Sequence, residues 1–208
     1  MDRDLSSKQL ETLLNESLSE TWKCRKPRNG ESDKSRHGRL SQAFVNATAK
    51  KFSCFFPHQE SYWTFCRSFH KPEEPDEDPK EKGFGLHELL FDIHVCQFEM
   101  IPSLKESKNI FLPIVKRAIW HIESELDEHD SGKWLKDFNK LVVGSAPFKM
   151  FIGPYKDGQN EAIKKTLRTP AEYASGKLFL ALIPHPRHWK NFSKKELLKR
   201  VCLWQYPW

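Results

Sequence analysis

The residues with the clearest capacity for chemistry are Asp92, Glu123 and Glu125. Along a strand, successive side chains alternate between two faces. Over residues 86–99 this puts Glu88, Leu90, Asp92, His94 and Cys96 on one face and the apolar Leu89, Phe91, Ile93 and Val95 on the other. Over residues 114–126 it groups Val115, Arg117, Ile119, His121, Glu123 and Glu125. Glu123 and Glu125 then share a face, about 6.6 Å apart at the usual rise per residue. If the two strands pair, Asp92 joins them at one edge of the sheet. A bare carboxylate cluster repels itself and raises at least one pKa. A divalent cation removes that cost. Mg²⁺ suits the oxygen ligands, since it is typically held by one or two carboxylates with water and phosphate, and Mn²⁺ is the alternative.

Strands and helices must hold these groups in place. The alternating run at 86–99 and a second at 114–126 read as strands. Residues 132–144 read as a helix with Trp134, Leu135, Phe138, Leu141 and Val142 on one side. "APFKMFIG" reads as a third strand, residues 157–174 as a helix broken at Pro170, and "GKLFLALIPHP" as a fourth strand. Earlier, Leu10, Leu13, Leu14 and Leu18 have helical spacing, and residues 40–52 read as a helix. The expected class is α/β, a central mixed β-sheet flanked by helices. Residues 1–39 are expected to be an N-terminal helix and a basic, exposed link, and residues 40–208 a single α/β domain.

"FDIHV", "IESEL" and "DFNKLVVGSAPFKMFIG" together resemble the PD-(D/E)XK nuclease-like superfamily, over about a third of the chain. In that superfamily an Asp on one strand precedes a (D/E)xK on the next, and a helix and strand follow. The resemblance implies a restriction-endonuclease-like fold and Mg²⁺-dependent hydrolysis of phosphodiester bonds, in DNA or alternatively RNA. Asp92 and Glu123 would bind metal, and Glu125, standing where the lysine is usual, would bind metal or help activate water. Some type II restriction enzymes also carry ExE. A migrated lysine is the alternative, with Lys140 the candidate. A helical wheel turns Lys140 roughly 160° from the apolar face, toward water or a phosphate backbone. Asp137 flanks that face and can reach the site. An auxiliary acid would come from Glu88, Glu16, Glu20 or Glu60, and Lys116 or Arg117 would meet the nucleic acid near the scissile phosphate.

The composition permits this function without demanding it. Lys and Arg exceed Asp and Glu by 34 to 28, a net charge of +6, which allows an acidic partner. No apolar run is long enough to cross a membrane, and the charged N-terminus lacks a signal peptide's apolar stretch. The expected location is the cytoplasm, where five scattered cysteines remain free thiols. Homodimerisation is left open. Cys54-x3-His58 and Cys66-x3-His70 repeat a spacing that zinc can use, although core-type aromatics surround it. The rival to an enzyme is a non-catalytic nucleic-acid-binding or protein-interaction module on the same fold, suggested by the missing motif lysine.

Overall fold

The computed structural model describes residues 4–57, 61–66, 91–102 and 111–208. Two helices come first. α1 (Ser7–Trp22) starts at a capping box: Ser6 Oγ accepts from the Gln9 N–H, and the Gln9 side-chain oxygen accepts from the Ser6 N–H at 2.9 Å. Its leucine stripe, Leu10, Leu13, Leu14 and Leu18, is fully buried. α2 (Asp33–Phe55) starts where Ser32 Oγ accepts from the Ser35 N–H, and it buries Leu40, Phe44, Ala49 and Phe52.

Among the described residues six strands follow, in one sheet whose spatial order equals their chain order: β1 (Tyr62–Cys66), β2 (Ile93–Pro102), β3 (Phe111–Ser124), β4 (Phe148–Tyr155), β5 (Lys177–Pro184) and β6 (Cys202–Gln205). β1–β2, β2–β3 and β5–β6 pair antiparallel, whereas β3–β4 and β4–β5 pair parallel. The parallel pairs need crossovers, supplied by α3 (Ser131–Val143) and α4 (Asn160–Glu172). A 3-10 helix, Pro186–Asn191, and α5 (Lys194–Leu198) precede β6. The class is α/β, with a mixed sheet between helical layers, as expected.

β4 and β5 are buried along nearly their whole length, so they read as continuous apolar runs. On one face Ile93, Val95, Trp120, Ile122, Met150, Ile152, Phe179 and Ile183 pack with α1 and α2. Phe52 meets Trp120 edge-on at 5.3 Å, and Trp120 stacks on Phe148 at 5.1 Å. On the other face Phe151, Leu178, Leu180 and Leu182 pack with Trp134, Phe138 and Leu141 of α3 and Ile163 and Leu167 of α4.

Several expectations change. The basic segment 23–39 is not wholly a link: from Asp33 it is already α2, because Ser32 caps the helix eight residues before the apolar pattern begins. α1 lies in the same core as the sheet. Pro170 does not break α4, which runs on to Glu172; lacking an N–H, the proline forgoes the i−4 bond, and the helix ends two residues later. The aromatic "YWTFC" forms β1, and of the C-terminal aromatics Trp204 lies in β6, paired on β5, with Tyr206 and Trp208 packed beyond it. The described part of the first expected strand starts at Ile93, and residues 86–90 lie outside the described residues.

β2 and β3 also extend beyond their neighbours. β1 stops opposite Gln97, and β4 joins β3 only from Trp120. Among the described residues the rest of the β2–β3 pair is a two-stranded ribbon on which Met100, Ile101, Ile114 and Val115 are exposed.

Because α1 is part of the core, Leu14→Ala should cost about 2–5 kcal/mol in urea unfolding, as deletions of buried leucine do. Exposed Lys8→Ala on the same helix should stay within about 0.5 kcal/mol. Equal effects would remove α1 from the core.

Candidate active site

Asp92 directly precedes β2, and Glu123 is the penultimate residue of β3. The register pairs Ile93 with Ile122, so the next step of the antiparallel ladder sets Asp92 beside Glu123. β3, β4 and β5 are parallel and all end on this same rim, at Ser124, Tyr155 and Pro184. In open α/β sheets this is the edge where ligands bind.

Asp92 is held by the end of β3. Its Oδ2 accepts from the Ser124 N–H at 2.8 Å and from the Ser124 hydroxyl at 2.6 Å. Oδ1 makes no hydrogen bond among the described residues. Glu123 is 1% exposed. Burial first, then the charge of Asp92, push its carboxyl up to about 8, against the pull of Lys140. Glu123 Oε2 accepts from Lys140 Nζ at 3.1 Å, while Oε1 is buried without a partner.

The structure corrects the wheel placement of Lys140. Its Nζ lies 2.8 Å from Asp137 Oδ1 and 3.1 Å from Glu123 Oε2. A wheel gives the direction of Cβ, and four methylenes let the ammonium fold back around the helix. Burial acts to lower the Lys140 pKa, but its bonds to Asp137 and Glu123 outweigh this and raise it. A lysine thus reaches the carboxylates from α3 rather than from the x+1 position of β3.

Glu125 lies past the end of β3, although its backbone N–H still donates to Ile152 O at 3.0 Å. Its Oε1 accepts from the Asp127 N–H at 2.7 Å, so the side chain caps the following turn. Burial raises its pKa, and Asp137 acts in the same direction. Asp137 is therefore an electrostatic neighbour of both glutamates.

The expected nucleic-acid contacts are elsewhere. Lys116 and Arg117 precede Glu123 by seven and six residues on β3. Arg117 is thus about 20 Å away along the strand. Lys116 pairs with Glu99 at 3.6 Å, and Arg117 Nε donates to Gln97 at 3.1 Å. Of the auxiliary acids, Glu88 and Glu60 lie outside the described residues, and Glu16 pairs with Lys51 at 2.9 Å on the α1–α2 surface. His58 and His70, of the zinc-like spacing, also lie outside the described residues. Of their partners, Cys54 is exposed, whereas buried Cys66 donates to Asn46 Oδ1 at 3.4 Å.

A polar rung lies one step behind the carboxylates; alternation had put His94 and His121 on these faces, but sequence reasoning missed Lys149. His94 on β2 is opposite His121 on β3, which is opposite Lys149 on β4. All three are buried. Burial lowers His94 to about 4 and His121 to about 3 and also lowers Lys149, whose Nζ donates to Ser175 Oγ at 3.0 Å. The available signal was a single lysine inside the apolar strand "PFKMFIG". Phe91 stacks on His121 at 3.8 Å. Gly144, which caps α3, presses on the same imidazole: a Cβ there would stand 2.4 Å from His121 Nδ1 and 3.0 Å from Phe91 Cζ. This close approach ties the end of α3, and hence Lys140, to β3.

Among the described residues no three His, Cys, Asp or Glu side chains gather closely enough to hold a metal ion. The residues that could hold a cation are Asp92 and Glu123, and one or two carboxylates are what Mg²⁺ commonly takes from protein. The unpartnered Glu123 Oε1 and the raised pKa are what a cation between the two carboxylates would relieve. A cavity of about 400 Å³ opens past the end of β3, bordered by Ser124, Glu125, Asp127, His129, His37 and His185 but not by Asp92 or Glu123.

No protein-family model, curated protein or solved structure matches this chain.

Two predictions follow the geometry. Gly144→Ala should destabilise by about 1–3 kcal/mol in urea, the usual cost of overpacking. A neutral result would mean that α3 does not depend on this contact. The second concerns Glu123, which binds its proton more tightly folded than unfolded. Its contribution to stability is full below the unfolded value near 4.5 and is lost as pH rises to about 8. Without divalent metal, the unfolding free energy of wild type minus that of Glu123→Gln should fall by about 1 kcal/mol per pH unit at the steepest, then level off. A difference that stays flat from pH 5 to 9 would show an ordinary, solvated glutamate.

Proposed function

We propose that this chain is a metal-assisted phosphodiesterase of the PD-(D/E)XK type, a cytoplasmic nuclease acting on DNA, with RNA the alternative substrate. One observation carries the reading: a fully buried glutamate with an unpartnered oxygen, next to an aspartate and 3.1 Å from a lysine, on the rim where parallel strands end. Burying a carboxylate in that way is costly unless a cation or reacting group completes it. The sheet order and crossovers support the restriction-endonuclease-like fold. The five free thiols support a reducing compartment. Among the described residues no helix is long and apolar enough to cross a membrane.

Asp92 and Glu123 would hold the cation. When bound, Mg²⁺ or Mn²⁺ supplies Lewis acidity at the scissile phosphate and lowers the pKa of a bound water. Ser124 orients Asp92 through two hydrogen bonds that leave Oδ1 open. Lys140 places a positive charge where the attacked phosphate gains negative charge, and Asp137 keeps that ammonium in position. Glu125, committed to the next turn, has the lesser part.

The test is cleavage of linear and circular DNA and of RNA, with Mg²⁺, Mn²⁺ or EDTA. Asp92→Ala, Glu123→Gln and Lys140→Ala should each lose about 100-fold or more, as sites lose when one electrostatic partner is removed. Glu125→Ala should lose less. Equal rates in wild type and the first three variants would overturn the proposal. The rival, a non-catalytic module, draws support from the pairing of Lys140 with both Glu123 and Asp137, which satisfies the lysine without any substrate. A wild-type protein that binds nucleic acid and cleaves it under neither metal would establish that rival.

A further inference from the structure

The rim carries a second feature, one to two strands across from Glu123. Behind the ends of β4 and β5 lies a cavity of about 230 Å³ into which Lys156, Arg187 and Arg200 converge. Arg187 is held by a buried carboxylate: it forms an ion pair with Glu128, which is 4% exposed, and its Nη2 lies 3.3 Å from His129 Nε2. His188 Nε2 lies 3.1 Å from Glu128 Oε1 and 3.0 Å from Arg187 Nε, so the imidazole serves one of them at a time. Arg200 rests on the Phe192 ring at 4.4 Å and donates Nη1 to Glu196 O at 3.1 Å, but its Nε is buried without a hydrogen bond. Asp157 is 3.9 Å from that nitrogen, beyond hydrogen-bonding distance, and its Oδ1 is occupied by the Tyr155 hydroxyl. Lys156 forms no ion pair among the described residues.

The chain around this cavity is strongly basic. Residues 186–200 contain Arg187, Lys190, Lys194, Lys195, Lys199 and Arg200 against one carboxylate, Glu196. The four lysines are exposed. Such a field attracts an extended polyanion rather than a single small acid. The cavity itself has room for one phosphate group and part of its sugar.

We propose that the Lys156–Arg187–Arg200 cleft seats a backbone phosphate of a polynucleotide strand, with residues 190–199 carrying the strand onward. Arg187, held in place by Glu128 and His188 through Nη2 and Nε, offers Nη1; Lys156 supplies an ammonium with no ion pair among the described residues; Arg200 Nε gains the hydrogen bond it lacks. The identity of the polyanion rests on the nuclease reading, but the cleft does not require that the strand be cut. The nucleic-acid surface is thereby assigned to the C-terminal rim instead of Lys116 and Arg117.

The experiment is fluorescence anisotropy with a labelled single-stranded DNA, in the Glu123→Gln background, between about 50 and 200 mM salt, where phosphate contacts set the slope. Lys156→Ala, and Lys156→Ala combined with Arg200→Ala, should weaken binding by about 3-fold and 10-fold or more and reduce the slope of log affinity against log salt by about 1 and 2. Lys116→Ala should change neither. Lys156→Ala is the safer variant, because the Lys156 ammonium makes no bond that the fold needs. Unchanged affinity and slope in both variants would overturn the cleft, even if the wild type cleaves DNA. Charge-dependent binding here, together with a wild type that cleaves under neither metal, would uphold the cleft and remove the nuclease. Anionic phospholipid vesicles that bind in a Lys156- and Arg200-dependent way, in place of DNA, would overturn it in favour of a membrane surface.

Discussion

The structure depends on the way β3 changes neighbours. Along its length it pairs antiparallel with β2, and over its last five residues it also pairs parallel with β4. The first pairing brings the start of β2, with Asp92, to the end of β3. The second requires a crossover, and the crossover is α3, which carries Asp137 and Lys140 back over the same end. A one-residue slip of β3 would turn Glu123 toward α2 and Ile122 toward α3, inverting both the core and the site. The apolar set Trp120 and Ile122 therefore fixes the position of a carboxylate it never touches.

That coupling has a cost. The face of the sheet under α3 carries His94, His121, Lys149 and Glu123, four ionisable groups that are all buried. Few hydrogen bonds compensate them: both nitrogens of His94, Nδ1 of His121 and Oε1 of Glu123 lack partners. Burial favours neutral histidines and a protonated Glu123, so the region avoids charge as far as it can. Four buried ionisable groups on one patch of sheet break local rules of stability, and breaches of that kind concentrate at functional sites. The opposite face, packed by α1 and α2, is apolar almost throughout.

Much of this was legible in the sequence because it depends on period. Alternation along β3 placed Glu123, the spacing of Trp134, Phe138 and Leu141 placed α3, and strand pairing placed Asp92. What was not legible depends on reach and on ends. Lys140 returns to the site through a flexible stem that a wheel cannot follow. Glu125 leaves the site because the strand stops one residue earlier, and an alternation rule has no information about where a strand stops. The polar stretch after α1 concealed a helix start, since Ser32 and Asp33 are as common in loops as in caps. The Arg187 cleft joins the ends of three strands distant in sequence, and "PHPRHW" alone reads as a turn.

The ribbon formed by the outer halves of β2 and β3 bears on how the protein behaves in a crowded solution. Beyond Ala118 the outer edge of β3 has no strand beside it among the described residues, and Ile114 and Val115 are exposed there. An open, apolar edge is a template on which another chain can extend the sheet. Lys116 and Arg117 stand in the middle of that edge, and any strand docking there would have to strip water from two cations. Charged side chains on an open edge are one of the devices by which sheets resist such pairing.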